Sequence, residues 1–306
     1  MAIARDRPAV APRARPRGVN HLVEALPYLL PALLVFALFE YYPLLRVIYL
    51  SLTDADLLKS PQWIGLANYT RMFQDAEFLN SLAVTVIFAF AVTGLEVVLG
   101  MTLGFLMNRK GPFQNLVRGA IFAPVVVSLA AAAVIWLHLL NPTSGPVNQL
   151  LQALGLPPSR WLQDPSTALA SVILIALWKG VGLPAVLYLA GLQGIPRELQ
   201  EAAQVDGATP YQAARWITIP LLAPTTLLVF FISLVGTFQS YGLILVLRTD
   251  GGPVGSTMLL GYYIYQNAFQ YFQMAYASAV SVFLFLLLVF LGWLQFKVSE
   301  RRVHYR

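Results

Sequence analysis

The sequence predicts an all-α integral membrane protein with six transmembrane helices. Of its 306 residues, 58% are hydrophobic and only 11% are charged, whereas an ordinary soluble domain carries roughly a quarter charged residues. Several apolar runs exceed the roughly 20 residues that a helix needs to cross the hydrocarbon core. A membrane β-barrel would instead show alternating segments of about ten residues. The chain contains no cysteine. That excludes disulfides, thiolate catalysis and cysteine-ligated metal, and it leaves the redox compartment unread.

Taken in order, residues 1–24 are expected to form a disordered basic tail. The opening MAIARDRPAVAPRARPRG is rich in arginine and proline and has almost no apolar periodicity, so it cannot bury a core. It reads as a charge anchor for the first span. A cleavable signal peptide is not expected, because the apolar run after the tail is too long and no small-residue cleavage site follows it. Spans are expected at about 25–52, 80–108, 115–140, 167–193, 216–247 and 274–297. Pro27, Pro31, Pro43 and Pro184 fall in or at the ends of spans, where neighbouring helices satisfy the freed carbonyls. Between spans, residues 53–79 are acidic, 141–166 carry a short amphipathic helix near 146–154, and 248–272 open on the turn-rich RTDGGPVGST. None of these loops is large enough for a separate domain. Residues 25–297 therefore read as one transmembrane domain, followed by a tail at 298–306. Neither a short-period repeat nor an inverted repeat is visible.

Lys and Arg in the loops set the orientation. With the N-terminus in the cytoplasm and six crossings, fourteen of the 20 basic residues fall in cytoplasmic segments. Only Lys59, Arg71, Arg160 and Arg248 fall outside, and Arg46 and Lys179 lie within spans. Both termini are expected inside. The net charge of +6 thus reads as membrane orientation rather than nucleic-acid binding.

The stretch from Glu201 to Pro220, EAAQVDGATPYQAARWITIP, is a polar island on the cytoplasmic side. Glu201, Asp206 and Arg215 sit among alanines at helical spacing. Gly207 breaks the run. Thr209–Pro210 restarts it, because a hydroxyl N-cap followed by proline at the first helical position is a helix-start signal. The pattern predicts a short helix, a glycine stop and a second short helix leading into the next span. From these residues alone, two readings stand: a solvated loop helix with Glu201 favouring the helix N-terminus, or a surface that docks a partner.

Little supports catalysis. There is no GxxxxGK[ST] phosphate loop, no HExxH and no GxSxG elbow. His21, His138 and His304 are far apart in sequence, and His138 reads as a packed or interfacial residue. No enzyme, cofactor or metal is expected.

The polar island has a specific likeness. EAA, three residues, Gly, nine residues and Ile-x-x-Pro resemble the EAA signature of permease subunits of ATP-binding-cassette importers. It falls on Glu201, Ala202, Ala203, Gly207, Ile217 and Pro220, with Asp206 inside it. The usual leucine before the proline is Ile219 here, a conservative change. AGLQGIPRELQEAAQVDGA (190–208), LWKGVG (177–182) and IYQNAFQ (264–270) look like the carbohydrate branch of that family, and the likeness covers roughly residues 25–297. The resemblance implies a type I importer permease fold in a bacterial or archaeal plasma (inner) membrane, with a coupling loop at 194–215. It implies as partners a second homologous permease, two ATP-binding-cassette ATPase subunits that hydrolyse the ATP, and an extracytoplasmic substrate-binding protein. A sugar-like solute, membrane lipid and no nucleic acid complete the expectation.

Ionisable groups inside spans are costly and usually face a partner or a cavity. Glu40, Arg46, Glu96 and Lys179 are such groups. Glu40 and Arg46 are six positions apart and do not share a helical face. Glu96 is expected to bond to a neighbouring helix. Lys179 sits beside Gly180 and Gly182, which either open the helix to a ligand or admit a neighbouring helix. Thr237, Phe238, Gln239, Ser240 and Tyr241 supply hydroxyl, amide and aromatic groups of the kind that sugars need. Resemblance to the maltose permease carries sugar contact over to Lys179, Gly180 and Leu183, and to Thr237, Phe238 and Tyr241; Gln239 joins them on its own chemistry. The relative has asparagines where this chain has Ala176, Phe238 and Tyr241, which leaves open a different solute. The alternatives are the same architecture importing glycerol-3-phosphate or another organic solute, and a channel or membrane-embedded enzyme without ATPase partners.

Overall fold

The computed structural model describes residues 21–56, 60–109, 111–247 and 251–300. Most of the basic tail and residues 301–306 lie outside these. The chain divides into two units, one up to Val47 and one from Ile48 onward.

The described part of the first unit lies within one helical run. Helix α1 (His21–Phe36) passes through a π-helical turn at Ala37–Tyr41 into α2 (Tyr42–Ser51). Pro43 has no N–H to bond back to Phe39. The helix widens just before it, and the Tyr42 N–H reaches Ala37 O, five residues back. The run reads as a span over Ala25–Ser51.

The second unit is helical throughout, and among the described residues its only β feature is an isolated bridge from Thr53 to Trp63. It comprises α3 (Ala67–Gln74), α4 (Ala76–Met107), α5 (Gln114–Val126), α6 (Leu129–Leu139), α7 (Pro146–Ala153), α8 (Pro165–Gly180) and α9 (Gly182–Gln193). These are followed by α10 (Arg197–Val205), α11 (Pro210–Ala213), α12 (Ile219–Leu221), α13 (Ala223–Phe238), α14 (Tyr241–Leu247), α15 (Leu260–Tyr265) and α16 (Met274–Glu300).

Helix α4 is the axis of this unit and packs against α8, α9, α13 and α15. Its approach to α9 is close: a Cβ at Gly100 would lie 2.6 Å from Pro184 Cβ, and one at Gly104 2.8 Å from Tyr188 Cβ. In lipid, where apolar surface gains nothing by leaving water, small residues of this kind let two backbones meet. Around α4, Phe88 and Val92 are buried with Ile175 of α8, Ile244 of α14 and Tyr262 of α15.

Three helices are long and apolar enough to cross a membrane, or up to six if each bent pair counts as one span. The first, second and sixth spans run close to their expected limits. The third, fourth and fifth spans are each a bent pair of helices. The third is α5 plus α6, which meet at 102°. Pro124 removes a helical donor inside α5. Three residues later the chain turns extended at Val127 and Ser128 (ψ 133° and 150°), and Ser128 Oγ accepts from Ala131 N at 3.2 Å to start α6. The fourth bends by 46° between α8 and α9. The bend is at Val181, between the two glycines, and Pro184 leaves Gly180 O without its helical donor. The fifth bends by 63° between the run Pro210–Leu221 and α13. It ends at Phe238, and α14 is a separate helix.

The short amphipathic helix expected near 146–154 is α7. Its Asn148 is 2% exposed and organises the loop around it. Its Nδ2 donates to Pro142 O and Ser159 O, both at 2.9 Å, and its Oδ1 accepts from Ser159 N at 3.1 Å and Trp161 Nε1 at 2.8 Å.

Candidate functional site

Two places concentrate polar chemistry, and the bends create the first. Helices α4, α8, α9, α13 and α14 and the start of α6 line an open-sided cavity of about 560 Å³. Among the residues singled out from sequence, Lys179, Gly180, Leu183, Thr237, Gln239 and Tyr241 line it. Phe238 does not. It is buried against Ala89 and Leu234, with leucines of α16 packed over that cluster. It is one residue, about 100° of helix rotation, from Thr237, and the break after α13 sends Gln239 and Tyr241 a different way.

The wall is ordered by hydrogen bonds. Lys179 Nζ donates to Val127 O at 2.7 Å. That carbonyl is freed by the break between α5 and α6, so the lysine ties α8 to the broken third span. Thr237 Oγ1 donates to Leu234 O at 2.9 Å and lies 3.5 Å from Thr93 Oγ1 on α4. Ser240 Oγ donates to Gly236 O at 2.9 Å. Tyr241 stacks on Tyr265, with ring centroids 6.4 Å apart.

Glu96 also lines the cavity. It is buried, and the Ser233 hydroxyl of α13 is its hydrogen-bonding neighbour. Its Oε1 lies over Gly180, where an added Cβ would overlap it. Glu96 thus meets the neighbouring helix α8 at Gly180 in the cavity wall. Ser233 was missed from sequence. The available signal was its place one turn before Thr237 on the same face of α13.

The second place is Glu201–Pro220. Helix α10 ends at Val205, and Gly207 takes φ +77°, a left-handed conformation that glycine adopts without strain. Thr209 then caps α11: its Oγ1 accepts from Gln212 N at 3.3 Å, while the Gln212 side chain accepts from Thr209 N at 2.8 Å. Pro210 stands at the first helical position. A π-helical turn at Ala214–Thr218 precedes Pro220, as another precedes Pro43. Glu201, Ala202, Asp206, Gly207 and Pro220 are exposed, Ile217 is half-buried, and only Ala203 of this set is buried. Large apolar side chains not singled out from sequence flank them: Val205, Tyr211 and Trp216 are 88%, 77% and 70% exposed.

A third cluster positions helix ends. Asp75 caps α4, its Oδ1 accepting from Glu77 N at 2.9 Å, and its Oδ2 accepts from Tyr263 Oη at 2.6 Å and Tyr276 Oη at 2.7 Å. Arg71 lies over the Tyr276 ring at 4.3 Å and donates to Gln273 Oε1 at 2.7 Å. Burial pushes the Asp75 carboxyl up, but the tyrosine hydroxyls and the N–H groups of Glu77 and Phe78 outweigh it and hold the group below the usual carboxylate range. The cluster joins α3, α4, α15 and α16. Among the described residues, no group of three or more His, Asp or Glu side chains gathers to hold a metal.

Comparison with known proteins gives a consistent likeness. Residues 96–305 match the family described as binding-protein-dependent transport system inner membrane component. A probable ABC transporter permease of Pyrococcus horikoshii is 33% identical over 282 residues, covering 90% of this chain and 96% of the relative. The sn-glycerol-3-phosphate transport system permease UgpA of Agrobacterium fabrum is 34% identical over 289 residues, covering 92% and 96%. Among solved structures, a chain of a bacterial alginate ABC transporter, in complex with an alginate pentasaccharide-bound periplasmic protein, superposes with a TM-score of 0.81. It is 23% identical and covers 92% of this chain and 95% of that one, which is a likeness of fold.

Proposed function

This chain belongs to the family of binding-protein-dependent transport system inner membrane components, and from that premise we propose that it forms half of the translocation path of an ATP-driven importer of a sugar or sugar-like solute. It is a multi-pass inner-membrane permease with the fold of type I ABC importers. The transmembrane domain spans 25–297, both termini are cytoplasmic, and the second half of the path is a homologous permease. An extracytoplasmic binding protein delivers the solute, and two ATPase subunits drive the cycle.

The observation that carries this reading is the Glu201–Pro220 stretch. It is a capped helix–glycine–helix with Glu201 and Asp206 exposed and with Val205, Tyr211 and Trp216 turned outward. Such a face suits a cleft on another subunit. The sequence has no phosphate loop, so ATP is hydrolysed on a partner and its work enters here. Glu201 offers a carboxylate to a basic group of the ATPase. Gly207 sets the angle between α10 and α11, so that a push on the stretch reaches the bend before α13.

The cavity is the solute's place in this subunit. Lys179, Gly180, Leu183, Thr237, Gln239 and Tyr241 wall it, and hydroxyl, amide and aromatic groups together suit a polyhydroxylated ring. A second reading of the solute has one observation in its favour: Lys179 is a cation in that wall, and the Agrobacterium relative is named for sn-glycerol-3-phosphate.

The experiment is co-purification and reconstitution. The tagged chain is expected to bring down a second permease and two ATPase copies. In proteoliposomes the complex is expected to take up solute only with ATP inside and binding protein outside. Uptake without any ATPase partner would overturn the reading in favour of a channel.

A further inference from the structure

Glu96 is the ionisable group of the cavity for which import has not yet given a use. It is 7% exposed and sits on α4, the axis of the bundle. A carboxylate has about four lone-pair sites for hydrogen-bond donors. Ser233 is the donor beside it, and Gly180, without a side chain, leaves room for the Oε1 oxygen. Among the described residues it forms no ion pair, and the Lys179 ammonium of the same cavity wall is held by Val127 O at 2.7 Å. A buried carboxyl without a cation is costly unless donors reach it. Glu96 is part of the cavity wall, where a solute's donors can reach it.

Resting on the import reading above, we infer that Glu96 is a specificity-determining residue of the path, accepting hydroxyls of an uncharged polyhydroxy solute and turning away its anionic counterpart. The walls decide the charge of the guest. Glu96 repels a phosphate or carboxylate at contact distance, where little water screens the pair. Lys179 on the next helix opposes a cation in the same space. What both admit is a neutral solute rich in O–H donors, and Thr237, Gln239, Ser240 and Tyr241 supply further hydroxyl and amide partners around it. Glu96 therefore separates the two readings of the solute: Lys179 alone would welcome glycerol-3-phosphate, and the acid in the same wall does not.

The test is direct binding to the assembled permease–ATPase complex without the binding protein, so that the cavity sets the choice. The probes are labelled glucose, maltose, trehalose and glycerol, set against glucuronate, glucose 6-phosphate and glycerol 3-phosphate. The unmodified complex is expected to bind an uncharged probe at least about tenfold tighter than its anionic counterpart. Glu96→Gln keeps the shape and removes the charge, and it is expected to shrink that ratio about tenfold by admitting the anion, a gain that misfolding cannot imitate. Glu96→Ala is expected to weaken the uncharged probe about tenfold, the loss of a hydrogen bond to a charged group. An unchanged ratio in Glu96→Gln, preference for the anion in the unmodified complex, or binding of no probe at all would each overturn the inference. ATPase stimulation by the loaded binding protein is read in parallel. If it is present while the ratio fails, Glu96 is a packing residue of a working importer. If it is absent, the importer reading falls and this inference with it.

Discussion

Asp75 offers the most quantitative check of how the helix ends are held. Asp75→Ala removes an N-cap, worth about 1 kcal/mol. It also removes the acceptor of two tyrosine hydroxyls at 2.6 and 2.7 Å. Hydrogen bonds to a charged group contribute about 1.5–3 kcal/mol each. The two hydroxyls lie 3.2 Å apart and can turn to each other, which recovers part of the loss. Asp75 is only partly buried, so solvent screening lowers the sum further. The net expectation is about 2–4 kcal/mol, or a fall in Tm of roughly 5–10 °C for a chain of this size. Its pH dependence has a defined sign. The folded carboxyl titrates below its unfolded value, which is about 3.9. The stability it contributes is therefore complete above that value and is lost as pH falls through the lower, folded one. Asp75→Asn keeps an acceptor but no charge. The gap in Tm between wild type and Asp75→Asn, measured in nanodiscs from pH 7 to pH 3, is expected to narrow toward the acid end. A Tm within a degree of wild type for Asp75→Ala, or parallel pH profiles for wild type and Asp75→Asn, would refute the reasoning.

Other expectations follow from single contacts. Glu201→Lys reverses the charge offered to the ATPase and is expected to lower substrate-stimulated ATP hydrolysis at least tenfold; wild-type transport by this variant would remove the coupling role. A Cβ at Gly207 meets open space, so Gly207→Val acts only through its φ of +77°. It is expected to cost about 1–3 kcal/mol locally and to weaken ATPase assembly, read by co-purification yield. Lys179→Ala and Tyr241→Ala are each expected to reduce uptake in proteoliposomes, and unchanged rate and solute range in both would take these residues out of the path. Asn148→Ala orphans buried groups and is expected to cost about 2–4 kcal/mol, seen as proteolysis within 141–163 where wild type resists.

Much of this architecture was legible because a membrane writes it plainly. Apolar runs of sufficient length locate the spans, and Gly207, Thr209 and Pro210 announce the helix–turn–helix through their own backbone chemistry. The bends were harder. Apolar composition is the same on both sides of a break, so α5 and α6 read as one span, although Pro124 and Ser128 carried the signal. Gly180 and Gly182 did suggest an opening of the fourth span, and the bend is there. Thr237 to Tyr241 read as one cluster of sugar-binding groups, but the break after Phe238 separates Phe238 from Gln239 and Tyr241. The Asp75 cluster joins residues about 190 to 200 positions apart, and no local pattern encodes such a meeting. Glu96 stood out as an acid in a span, whereas its place on the cavity wall depends on α8 and α13 closing around it. The outward turn of Val205, Tyr211 and Trp216 is likewise tertiary, since apolar residues in a short amphipathic helix equally suit burial.

The central claim is that Glu201–Pro220 seats on an ATPase inside the cell. The chain has no cysteine, so Gln204→Cys places a single thiol on the exposed face of α10. A short thiol-directed cross-linker in membranes holding the whole importer tests the claim most directly. The expected result is an adduct with the mass of this chain plus one ATPase subunit, a yield that changes with ATP, and a thiol shielded from impermeant maleimide in intact cells. Labelling of that thiol from outside, with no ATPase adduct, would contradict it.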